Sequence, residues 1–132
     1  MLATTKNAFL ITLTESWLGE GVLDSEVYIK DFSISRADRA NREGGGVIAY
    51  VRDNLTVSHE LSFSDSICEL LCIYIQELKL GVITVYRPPG SENISFSNII
   101  KKMDKWLLEL SSEFNDLDIL VTGDFNLGFL KD

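Results

Sequence analysis

An acid and an amide, Asp124 and Asn126, stand just past the short apolar run Asp118–Val121 and the turn signal Thr122-Gly123. A carboxylate there can take a proton or hold a cation, and an amide can orient a water or a phosphate oxygen. Open α/β sheets place their ligands at this kind of strand end. The bland alternative is an Asx-type turn, with both side chains bonding their own backbone. Other strand ends repeat the arrangement. Glu15 follows the run Ala8–Leu13, where it could instead be a helix N-terminal acid complementing the dipole. Tyr86 and Arg87 close the run Leu80–Tyr86, and Pro88-Pro89 stop the ladder and stiffen the exit. A phenol and a guanidinium suit phosphate oxygens. A rigid loop with an exposed arginine fits the same residues. The loop Arg36–Glu43 carries Arg36, Arg39 and Arg42, which is either a solvated stretch or a positive lip near a phosphate.

These residues need strands to hold them. Ala8–Leu13 reads as a central strand, and Val22–Lys30 as a short helix or loop. Tyr28–Ser35 holds a short strand. Gly44-Gly45-Gly46 then enters the strand Val47–Val51; the glycines point to close backbone approach and fit no Walker loop. Thr56–Phe63 is extended and carries the chain's one histidine, His59, with nothing near it to suggest a triad. Ile67–Ile75 is apolar on both faces, so it is buried on both. Glu69 is the exception there and needs a partner. Gln76–Lys79 turns the chain into Leu80–Tyr86, an antiparallel neighbour. Ser95–Phe114 is a helix capped by Ser95, with Phe96, Ile99, Ile100, Met103, Leu107, Leu110 and Phe114 on one face. The last strand, Asp118–Val121, is expected to be buried.

The bulk numbers bound the partners. At 132 residues and 45% hydrophobic, the chain holds one core. A net charge of −8 argues against a broad basic surface gripping nucleic acid through phosphates alone. It is compatible with carboxylates that hold a divalent cation. No apolar run is long enough to span a membrane. The N-terminus shows no secretory pattern, so Cys68 and Cys72 read as reduced core thiols of an intracellular protein. If the strand ends share one rim, Glu15 and Asp124 make a hard-oxygen site for a magnesium-like ion. Tyr86, Arg87 and Asn126 would then serve the remaining oxygens, a set suited to metal-assisted attack of water on a phosphodiester.

T-E-S-W-L, G-G-G-V-I-A-Y-V, Y-R-P-P-G and G-D-F-N, in this order, resemble the endonuclease/exonuclease/phosphatase superfamily. The likeness is nearest to the apurinic-type endonuclease domain of non-LTR (LINE-type) retrotransposons, and it covers nearly all of Ala8–Leu127. It implies an α/β four-layer sandwich of two packed mixed β-sheets with outer helices. It implies Mg2+ or Mn2+ at Glu15 and Asp124, and DNA as ligand. Asp124 would position or deprotonate the water, or protonate the leaving group. Asn126 would orient nucleophile and phosphate, and Tyr86 would touch the phosphate; Arg87 and Arg39 are further candidates for phosphate contact. A nuclear location and a downstream reverse transcriptase domain belong to the same expectation. Relatives begin with an Asn-bearing strand and helix and end with a Ser-Asp-His-like motif; neither stands in residues 1–132. The chain is therefore expected to be a single incomplete domain, truncated at both ends, with weak or no activity of its own. A superfamily phosphatase and a non-catalytic interaction module are the alternatives.

Overall fold

Two β-sheets packed face to face, with one α-helix on an outer side, make up the computed structural model, which describes residues 8–40, 44–65, 68–89 and 93–126. The first sheet contains β1 (Leu10–Thr14), β2 (Phe32–Ala37) and β3 (Val47–Arg52), in the order β1-β3-β2 and wholly antiparallel. The second contains β4 (Val57–Ser64), β5 (Glu69–Ile75), β6 (Leu80–Tyr86) and β7 (Asp118–Asp124), in that order. β4, β5 and β6 are antiparallel neighbours, whereas β7 runs parallel to β6. A parallel neighbour needs a crossover, and α1 (Asn93–Glu113) supplies it.

Alternation along β5 explains the layers. Leu71, Ile73 and Ile75 point inward and meet Val47, Ala49 and Val51 of β3 and Val82 of β6. Leu70, Cys72 and Tyr74 point the other way, against Ile99, Trp106 and Leu110 of α1. Each fully buried aliphatic side chain contributes about 1.5–3 kcal/mol, so this strand is the centre of the core. Both cysteines are free and buried, as expected of core thiols. Burial pushes each thiol up to about 12. Among the described residues, no α-helix covers the outer face of the first sheet. The segment after β1, with a 3-10 turn at Asp24–Glu26, lays Leu18, Val27 and Ile29 over Phe32, Ile48 and Tyr50 instead.

Several sequence expectations change, the first being that Ala8–Leu13 is a central strand: β1 lies at the edge of the first sheet, paired with β3 alone. The last strand is not buried: Ile119, Leu120 and Val121 are 36%, 43% and 39% exposed. β7 pairs on one side only, and the first sheet is one strand narrower, so an apolar run ends up at an edge. Gly123, at φ 134°, lets it press on β6, because a Cβ there would meet the Val85 carbonyl. The helix starts at Asn93, so Ser95 lies inside its first turn rather than capping it. Its buried stripe includes Trp106, 4% exposed, and leaves Ile100 45% exposed. Ile99, Met103, Leu107, Leu110 and Phe114 of the expected face do pack on the sheet, with Trp106 added to them.

Candidate functional site

The strand registers bring the relevant ends together. In the first sheet, Thr14, Val47 and Ala37 form one row, so Glu15, Gly46 and Asp38 leave from the same end. In the second, Ser64, Glu69, Tyr86 and Asp124 form one row across all four strands. Side chains in register share a face, and Tyr86 belongs to the core between the sheets. Glu69, Tyr86 and Asp124 therefore all face the first sheet.

Tyr86 is the centre of the group. Its ring is buried, and its hydroxyl donates a hydrogen bond to the Glu15 carboxylate. Burial raises the phenol above its ordinary value; the bond to Glu15 and the charges of Glu15 and Asp124 raise it further, while Arg39 opposes them. Two carboxylates and a guanidinium thus act on one phenol, which stays protonated at neutral pH. The guanidinium carbon of Arg39 lies 5.8 Å from the Tyr86 ring centre, within reach of a cation–π attraction. Glu15 itself is exposed, at φ 54°, so the group opens to solvent on its carboxylate side.

Behind this rim sits Glu69, fully buried. Its Oε2 pairs with Arg39 Nε at 3.4 Å, and its Oε1 accepts the Gly46 N–H. A buried carboxylate survives only with such partners. The glycine run fits around the pair: a Cβ on Gly45, at φ 60°, would collide with Glu69 Oε1 and Arg39 Cζ. The same run holds the loop that carries Glu15. Ser16 N–H donates to the Gly46 carbonyl at 3.3 Å, and Trp17 N–H to that of Gly45 at 2.9 Å. Glu69 is the residue that sequence reasoning left without a role at the rim. Its signal was present, as the one acid in an apolar strand, but its partner lies thirty positions earlier.

Arg87 and Asn126 are placed differently. Arg87 is 3% exposed and donates through Nη1 to the carbonyls of Phe125 at 3.2 Å and Asn126 at 2.9 Å. Asn126 Nδ2 returns a bond to the Arg87 carbonyl at 2.5 Å, and Arg87 N–H bonds the Asp124 carbonyl at 2.9 Å. These bonds lash the exits of β6 and β7 to each other. The Asn126 amide thus donates through Nδ2 to the Arg87 carbonyl. His59 lies elsewhere, 2.6 Å from Glu113 and edge-on to Phe114, tying β4 to the end of α1.

Among the described residues, no three His, Cys, Asp or Glu side chains gather as a metal-ligand cluster. Magnesium, however, is commonly bound by one or two carboxylates plus waters and substrate phosphate. Glu15 and Asp124, both acting on the Tyr86 phenol, fit that donor set. No family model matches the chain, and no curated protein matches it either. Among the described residues, no helix is long and apolar enough to cross a membrane.

Proposed function

We propose that this chain is the magnesium-dependent, DNA-nicking endonuclease domain of a retroelement, hydrolysing phosphodiesters. The observation that carries the reading is the meeting of Glu15, Asp124 and Arg39 on Tyr86. These residues leave four different strands or loops: Glu15 bonds the phenol, and Asp124, in register with Tyr86, adds its charge. Glu15 and Asp124 would hold the ion, which when bound lends positive charge to the phosphate and lowers the pKa of a bound water. Asp124 accepts a proton from the attacking water as its oxygen bonds to phosphorus and the bond to the leaving oxygen breaks. Tyr86 donates a hydrogen bond at the phosphate once Glu15 turns to the cation. Arg39, held by Glu69, supplies a fixed positive charge beside that phenol.

The test is conversion of supercoiled plasmid to the open circle with Mg2+, for this chain and for a version carrying the expected flanking strands. Glu15→Gln and Asp124→Asn should each abolish nicking in the longer protein while leaving its fold intact. Equal nicking by either variant ends the assignment. A second reading, a non-catalytic module of the same fold, is favoured by one observation: Arg87 and Asn126 bond each other's backbone rather than facing the rim. Absence of any Mg2+-induced rise in melting temperature in a folded protein would favour it, because a ligand of the native state must stabilise that state. A superfamily phosphatase would be picked out by a substrate panel.

A further inference from the structure

Trp17 is 64% exposed, although tryptophan is the largest apolar side chain and is highly buried on average. Its backbone is held at φ 58°, a conformation that a bulky residue adopts only where its surroundings impose it. The imposing contact is the bond from Trp17 N–H to the Gly45 carbonyl. The indole is thereby set beside Gly44. Its Cζ2 and Cε2 lie 3.6 and 3.7 Å from the point where a Gly44 side chain would begin, and Arg39 Nη1 lies 3.3 Å from the same point. One edge of the indole is therefore against the glycine run and the guanidinium, while most of its surface is open to solvent. Two residues earlier in the chain is Glu15, bonded to Tyr86.

We propose that Trp17 is a stacking platform for a nucleobase next to the rim, an inference that rests on the phosphodiester reading of that rim. The charge balance favours such a platform. A chain of net charge −8 gains little from phosphates over a broad surface, so its grip on a nucleic-acid strand must come from elsewhere. Base–aromatic stacking is sequence-tolerant and insensitive to net charge, since every base presents a π face. Arg39 beside the indole supplies a local cation for the adjoining phosphate, and the missing side chain of Gly44 lets guanidinium and indole come this close.

The probes are a short oligothymidylate and an abasic spacer strand with the same number of phosphates, titrated at low salt with Ca2+ present. Tryptophan emission reads the site directly, because the other tryptophan, Trp106, is buried under α1. Oligothymidylate should quench the emission and bind about tenfold more tightly than the spacer, the scale of one stacked base. Trp17→Leu should bring its affinity down to that of the spacer, and Trp17→Tyr should restore most of it. Equal binding of the two probes, unchanged affinity in Trp17→Leu, or no binding by the wild-type chain overturns the proposal. The rim reading is scored separately. Equal but Ca2+-dependent binding of both probes sinks the platform alone, whereas binding indifferent to the cation counts against the rim.

Discussion

Arg39 and Arg87 leave the same end of the sandwich and are both largely buried, yet the partners seen for them differ. Arg39 is held by a charge: its Nε pairs with Glu69, and its guanidinium carbon lies near the Tyr86 ring. Arg87 donates to main-chain carbonyls at the exit of β7, and its guanidinium carbon lies 5.9 Å from the Phe96 ring centre. A carboxylate can be removed by one substitution, leaving an uncompensated charge; a carbonyl cannot. The first arrangement puts a fixed cation at the rim, and the second spends its cation on joining two strands. Residue type alone does not separate them.

The largest effect should come from Glu69→Ala. Losing one member of a buried ion pair costs about 3–5 kcal/mol, and here it also orphans the Gly46 N–H. Urea unfolding should show this loss, and a loss below about 1 kcal/mol, the scale of an ordinary hydrogen bond, would mean that Arg39 finds water instead. Arg87→Ala should cost less, about 1.5–3 kcal/mol, the range for a bond to a charged group. It should leave Mg2+ binding unchanged once the protein is folded. Weakened Mg2+ binding in a fully folded Arg87→Ala chain would put Arg87 at the rim after all.

Thiol chemistry sharpens the same contrast. With both thiols pushed up to about 12 by burial, Cys68 and Cys72 should resist a disulfide reagent at about pH 8 until the chain is unfolded. Arg87 partly opposes the shift at Cys68, so its removal speeds labelling only through more frequent opening. Labelling faster than the measured opening would contradict that. A smaller effect lies at the far end of the sandwich. Glu77 accepts from Thr56 N–H and Oγ1, each at 2.7 Å, and these bonds hold its carboxyl below the ordinary value. A lowered folded pKa adds stability above the unfolded value, and that stability is lost as pH falls through the folded one. Glu77→Gln should therefore flatten the acid limb of the stability curve below about pH 4.5 and change nothing at neutral pH beyond the lost bonds. The smallest effect is expected at β7, an already exposed edge. Leu120→Thr should change the unfolding free energy there by no more than about 0.5 kcal/mol, the usual range for surface substitutions.

Much of the fold was legible. The β5 alternation separated two cores correctly, because a strand buried on both faces must sort its side chains by parity. The antiparallel turn into β6 followed from a four-residue connection, too short for any crossover. Burial of β7 was misread because an apolar run looks alike at a sheet's centre and edge, and only the neighbouring strand count decides. The helix face was legible in large part, since Ile99, Met103, Leu107, Leu110 and Phe114 all pack on the sheet; Trp106 joins them and Ile100 stays exposed.

At the rim, the sequence by itself determined which chemical groups stand at strand ends: Glu15, Tyr86, Arg87, Asp124 and Asn126 each close or follow a run that had to be a strand. Hydrophobic periodicity is local, so neighbours along the chain suffice to set it. Tertiary structure alone decided which of those groups meet. Glu15, Asp124 and Arg39 act on Tyr86, whereas Arg87 and Asn126 turn to each other. The difference arises because strand register and sheet packing set distances across the molecule, and those depend on contacts between residues far apart in the chain.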